Sequence, residues 1–158
     1  MSTFNRLDVG TTVVSQGRTI TESLASDAAT IGGYVHPLFT DHEYVRRHTS
    51  FEPPLIPGQF VLYLLGGLAE MAGVFDETTI GLVALDDVRF AAPVRVGETI
   101  RLEMEVVERR VTSDGTKGVM RLDWTCRSHD DDLKLQCVAT MMFAVGGDRS
   151  SAATQDER

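Results

Sequence analysis

From Gly58 to Phe75 the chain reads GQFVLYLLGGLAEMAGVF, apolar around nearly the whole circumference of a helix. A helix without a polar face is a buried helix. At about 1.5 Å per residue it would run on the order of 27 Å, the diameter of a small domain, so it is expected to be the axis of the core. Pro53, Pro54 and Pro57 punctuate the approach to it. Beyond the helix the period of the apolar positions changes to two. Ile100, Leu102, Met104 and Val106 alternate with Arg101, Glu103 and Glu105, the pattern of a strand with one buried face. Met120, Leu122, Trp124 and Cys126 repeat it, and so do Leu135, Cys137, Ala139, Met141 and Phe143. Pro93 and Gly97 separate Val83–Phe90 from Thr99–Val111, and Ser113-Asp114-Gly115-Thr116 is a hairpin-turn signal. Four strands in succession predict an antiparallel meander.

Upstream, the Thr/Val-rich segment Thr11–Ile20 predicts a first strand. Thr19 and Glu22 have capping-box spacing for a short helix whose apolar positions are Leu24, Ala28 and Ile31. Gly32-Gly33 supply its C-terminus and a tight exit, since glycine enters left-handed conformations without a steric penalty. A loop, Tyr34 to Phe39, leads to a second capping box, Thr40 and Glu43, which opens a short polar helix ending near Arg46-Arg47-His48. Each sheet has one apolar face to bury, so a meander that follows one buried helix must cover it. The expected class is α+β, an antiparallel sheet wrapped around one long central helix.

A length of 158 residues suits a single domain, expected over residues 1–145, with the apolar-poor GGDRSSAATQDER at 146–158 expected to be a disordered tail. The net charge of -8 and pI near 4.9 disfavour nucleic acid and anionic membrane surfaces as partners. The longest apolar stretch, Phe60–Ala69, falls short of the roughly 20 residues that span a bilayer, and the N-terminus has no basic segment leading into an apolar one. A cytoplasmic location is expected. Cys126 and Cys137 flank His129-Asp130-Asp131-Asp132, and a hairpin turning at Asp131-Asp132 would set the two thiols opposite each other. They are expected to be reduced and packed, with no function, and no metal ion or cofactor is expected.

Three stretches resemble the MaoC-like branch of the hotdog superfamily, which includes (R)-specific enoyl-CoA hydratases and related acyl dehydratases: Gly32–Asp41, Leu55–Phe60 and Leu85–Glu108. The last is similar to the family's strand, proline turn, "VGD/E" and strand. The resemblance covers roughly Thr19 to Val145 and implies a hotdog fold, an acyl-CoA or acyl-carrier thioester as substrate, and a homodimer that shares its pocket between two chains. An exposed sheet edge points to the same dimer. The family's hydration loop usually reads Gly-Asp-x-Asn-Pro-x-His-x-Asp. Laid on Gly33 to Asp41, it puts Pro on Pro37 and the last Asp on Asp41, but Tyr34 stands at the catalytic Asp and Phe39 at the catalytic His. His36 stands at the Asn, and the helix lead-in Ile56-Pro57-Gly58-Gln59 lacks the His that is common there.

Hydration of an enoyl thioester needs a base for water, a proton donor and groups that polarise the thioester carbonyl. His36 and Tyr34 are the nearest candidates for the proton steps, the alternative being that His36 hydrogen-bonds across the loop and Tyr34 packs. The amides near Gly58 and Gln59, at the start of the long helix, are candidates for the carbonyl, with Pro37 and Phe39 beside them. Arg46 and Arg47 are candidates for the phosphates of coenzyme A, and Arg109-Arg110 form a second basic pair. A thioesterase would instead use Glu70, the one acid in the central helix, if burial raised its pKa. A third reading is a silent subunit that binds acyl chains or completes a heterodimer.

Overall fold

The computed structural model describes residues 2–145; the tail expected at 146–158 lies outside the described residues. The elements are α1 (Thr3–Arg6), β1 (Thr12–Val14), β2 (Arg18–Thr19), α2 (Glu22–Gly32), α3 (Pro37–Thr40), α4 (His42–His48), α5 (Gly58–Met71), β3 (Thr79–Phe90), β4 (Thr99–Val111), β5 (Lys117–Ser128) and β6 (Leu133–Ala144). One antiparallel sheet runs in the order β1-β4-β5-β6-β3, with β2 also paired to β4. The alternating residues of β4, β5 and β6 face inward and bury Met104, Leu122, Trp124 and Met141 against Val61, Leu65, Leu68 and Ala69 of α5. The helix is the axis of the core, as its composition predicts.

Its outer face, however, is open: Tyr63 is 74% exposed, and Gly67, Glu70 and Met71 are exposed beside it. An all-apolar helix that leaves one face uncovered in a single chain has a surface suited to another chain. The helix is also shorter than its apolar run. Gly73 turns at φ 75°, and the amides of Gly73 and Val74 return to the carbonyls of Glu70 and Ala69, which closes the helix before Phe75.

The meander holds for β4, β5 and β6 but not for β3, which skips β4 and pairs with β6. Leu85 faces Ala139 and Phe90 faces Leu135. The connection after Phe90 therefore crosses the start of α5, where Ile56 N–H donates to Val94 C=O at 3.1 Å. Thr11–Ile20 is not one strand but two, because the Ser15 hydroxyl replaces a backbone partner by accepting from Leu102 N–H at 2.9 Å. Both caps sit off their expected positions. Thr21, not Thr19, accepts from Leu24 N–H, and Asp41, not Thr40, accepts from Tyr44 N–H. Ile31 is exposed, and α2 buries Ala25, Ala28 and Ala29 instead. Gly33 closes α2 in the left-handed conformation at φ 65°, as its sequence position predicts.

Cys126 faces Leu135 and Cys137 faces Trp124, so the thiols are offset by two residues rather than opposed. Both are free, and burial pushes Cys126 up to about 12 and Cys137 up to about 11, which keeps them protonated.

The N-terminal segment is tied down by Asp76 in the turn after α5. Its carboxylate accepts from Thr3 N–H and from the backbone and hydroxyl of Thr78. Partial burial alone would raise its pKa, but the hydrogen bonds from Thr78 and Thr3 outweigh burial and hold it at about 2, against 3.8. A carboxylate with a depressed folded pKa stabilises the fold fully above about pH 4 and loses that contribution as pH falls toward 2. Asp76→Asn is expected to cost on the order of 1 kcal/mol near neutral pH and to flatten the stability decline between pH 4 and 2, read by urea unfolding at stepped pH.

Candidate functional site

Pro57 is buried, Gly58 half-buried and Gln59 exposed at the start of α5, which has no side-chain cap. Pro57 holds the N-cap position, its carbonyl takes the amides of Phe60 and Val61, and the amides of Gly58 and Gln59 donate to no described residue. A helix start in this condition presents free N–H groups and the positive end of the helix dipole. Against it lies a cavity of about 460 Å³, walled by Gly58 and Gln59, by Phe39 of α3, and by Phe90 through Val94 of the crossing connection. Its wall is mostly apolar, with Gln59 and Lys134 as the polar side chains.

A Cβ at position 58 would lie 2.8 Å from the Phe90 ring, so glycine there lets the ring close against the helix start. Gln59 is held from the other side. The Tyr34 hydroxyl donates to Gln59 Oε1 at 2.9 Å, which leaves the Gln59 NH₂ group as a free donor. Tyr34 in turn meets Phe39 edge to face at 5.3 Å between ring centres. The two residues that stand where the resemblance places an Asp and a His therefore touch each other, and one of them grips the helix start.

His36 is placed differently. It caps α3, a helix within what the sequence reading treats as a loop, and its Nδ1 accepts from Leu38 N–H at 3.1 Å. It is exposed, stacks edge-on against Tyr44, and is not part of the cavity wall. With Nδ1 occupied as an acceptor, a neutral His36 carries its proton on Nε2. Pro37 follows it as the first residue of α3 and is likewise not in the wall.

Glu70 is exposed on the last turn of α5, not buried as a thioesterase carboxylate would be. It borders a second concavity of about 790 Å³, an open groove between the outer face of α5 and β3 that also holds Arg18, Tyr63 and Leu82. Gln59 borders both the groove and the cavity. Arg46 and Arg47 lie on the exposed last turn of α4 and pair with Glu43 at 2.7 Å and 3.7 Å, away from the cavity wall. Arg109 pairs with Asp8 at 2.9 Å and lies over the Phe4 ring, and Arg110 faces Glu108. Lys134 is the residue that sequence reasoning missed. It is 6% exposed and its Nζ donates to Glu98 Oε1 at 2.7 Å.

A single antiparallel sheet wrapped on a central helix, with an apolar cavity at the helix start, defines a hotdog-fold protein. The chain belongs to the MaoC-like domain family, whose model matches residues 5–125. It is 28% identical over 99 residues to the 3-hydroxyacyl-acyl-carrier-protein dehydratase FabZ of Bacillus velezensis, a stretch covering 60% of this chain and 64% of that protein. The match thus spans less than two thirds of the relative. Among solved structures, a monoamine oxidase regulatory protein from Archaeoglobus superposes with TM-score 0.82 at 26% identity, covering 91% of this chain and 95% of that one. An (R)-hydratase from A. caviae gives 0.68 at 21% identity, over 85% and 96%. A conserved hypothetical protein of Mycobacterium tuberculosis with a double hotdog fold gives 0.78 at 24% identity, and 92% of this chain corresponds to 44% of it. Among the described residues no helix is long and apolar enough to cross a membrane.

The cap at position 36 yields a test of its own. His36→Ala removes the side-chain acceptor that caps α3 and is expected to lower stability by roughly 0.5–1 kcal/mol, while His36→Asn, a better cap, should restore it. Thermal melts of the two variants decide; equal losses would show that the imidazole does something other than cap.

Proposed function

We propose that this chain is an acyl-thioester hydratase or dehydratase of the MaoC-like family that acts as a homodimer, with the thioester carbonyl held at the start of α5. The observation that carries the reading is the uncapped helix start opening on an apolar cavity, with three free donors in one place: the amides of Gly58 and Gln59 and the Gln59 side chain. Hydration and its reversal both build negative charge on the thioester oxygen, and fixed donors stabilise it without reorganising. The relatives named above as dehydratase and hydratase support the same chemistry.

Tyr34 is the positioning residue for Gln59 and the titratable hydroxyl joined most directly to the site. In this reading it orients the Gln59 amide and exchanges its hydroxyl proton with the substrate through a water molecule. His36 caps α3 and lies off the cavity wall, so Tyr34 is the better of the two candidates for the proton step. The homodimer follows from the open face of α5 and from β3, an outer strand that exposes Ile80, Leu82 and Val83. A second copy laid along that edge would close the groove at Gln59.

A second reading is favoured by Phe39. A phenyl ring faces the cavity where the resemblance places the catalytic His, and a phenyl ring moves no proton. The chain would then bind acyl thioesters without turning them over.

Crotonyl-CoA hydration, followed as loss of the enoyl absorbance, separates the readings. Turnover is expected, with Tyr34→Phe lowering kcat by about tenfold or more while KM changes little, since the ring stays and only the hydrogen bond is lost. Binding of crotonyl-CoA with no turnover of any enoyl chain would favour the second reading. Sedimentation at micromolar concentration is expected to give a dimer that Val83→Asp converts to monomer; a monomeric wild type would remove the shared-site part of the proposal.

A further inference from the structure

Lys134 has no role in carbonyl binding as described above, yet it is the one charged side chain in the cavity wall. Its burial is unusual for a lysine. At 6% exposure the ammonium has given up nearly all its water, and such a group is kept charged only by partners. Two of its three protons are taken, one by Glu98 Oε1 at 2.7 Å and one by Pro93 C=O at 3.3 Å. The third has no acceptor among the described residues.

Its counter-ion is shared. Glu98, 8% exposed, is shared between Lys134 and Arg95, whose guanidinium lies 3.6 Å from Oε1 and whose amide donates to Oε2 at 2.7 Å. Arg95 is also paired, at 3.3 Å, with the exposed Glu52, so among the described residues Glu98 is the one buried counter-ion of Lys134. The buried Lys134 side chain lies beside the buried, apolar Val94 and Leu135, so an anion that reached its third proton would be screened less than in open water. The connection that carries Pro93 also pairs Val94 with Ile56, two residues before Gly58. One short segment therefore holds both the ammonium and the helix start on the wall of one cavity.

We propose that Lys134 is a specificity-determining residue and that the cavity takes an acyl group bearing a carboxylate, which accepts the third ammonium proton while the thioester carbonyl lies at Gly58 and Gln59. The proposal rests on the thioester reading and names its substrate class. A carboxylate fits the position better than a carrier phosphate, because the cavity wall around the ammonium is apolar and a phosphate would shed far more water to enter it. Glu98 is the partner that keeps Lys134 charged before the acyl group arrives.

The test compares two non-hydrolysable pantetheine thioethers of four-carbon acyl length, one ending in a carboxylate and one in a methyl group, by calorimetry on the intact protein at pH 7. The carboxylate compound is expected to bind at least tenfold tighter. Lys134→Met with Glu98→Gln, which leaves no uncompensated charge, is expected to abolish that preference, and Lys134→Arg to keep most of it. Equal binding, tighter binding of the methyl compound, or binding of neither by wild type would overturn the proposal, and so would an unchanged preference in the double variant. If the double variant fails to fold, the wild-type ratio and Lys134→Arg still decide. Crotonyl-CoA turnover measured alongside keeps the two claims apart: turnover without the preference sinks the Lys134 role alone, whereas the preference without turnover of any enoyl thioester leaves it standing and sinks the hydratase reading.

Discussion

The start of α5 is the constraint on which the rest of the structure turns. A helix leaves its first N–H groups without partners inside the helix, and the usual device that satisfies them is a Ser, Thr, Asp or Asn at the N-cap. The short helices α2 and α4, near the surface, use that device with Thr21 and Asp41. The central helix begins at Pro57 with no such side chain, and the protein surrounds that gap with rings and a crossing connection rather than filling it. Unpaired donors in an apolar surrounding are costly unless something accepts from them, and a ligand oxygen is the natural acceptor.

Packing fixes where that gap lies. The inward residues of β4, β5 and β6 clamp Val61, Leu65, Leu68 and Ala69, so α5 has neither room to slide nor freedom to rotate. β3 closes on β6 and sends its connection over the helix start, which brings Phe90 within contact of Gly58 and Lys134 beside Pro93. The same crossover leaves β3 at the edge of the sheet and one face of α5 bare. The cavity and the groove are thus two consequences of one topological choice, and Gln59 stands where they meet.

The parts of this arrangement legible in the sequence are those set by local period. The strands β4 to β6 announce themselves by alternation, α5 by its uninterrupted apolar run, and the exit of α2 by Gly32-Gly33. What was illegible depends on contacts distant in the chain. Nothing near Val83–Phe90 says that it pairs with Leu133–Ala144 rather than with the strand that follows it. Alternation around Leu135 predicts an outward, exposed Lys134, but its bonds to Pro93 and Glu98 bury it in the cavity wall. Thr19 and Thr40 have the right spacing for caps, but competing oxygens one or two residues away, on Thr21 and Asp41, win the amides. Tyr34 was legible as a candidate, whereas its grip on Gln59 joins positions 25 residues apart and needed the fold.

The helix start and the outer face of α5 are the two surfaces against which an acyl thioester could lie, and the free amides favour the first. Backbone amide chemical shifts recorded while an acyl-pantetheine thioether is titrated into labelled protein test this directly. Gly58 and Gln59 should show the largest changes, moving downfield as their N–H groups gain an acceptor. Shifts centred on Gly67, Glu70 and Arg18, with Gly58 and Gln59 unmoved, would place the ligand in the groove and contradict it.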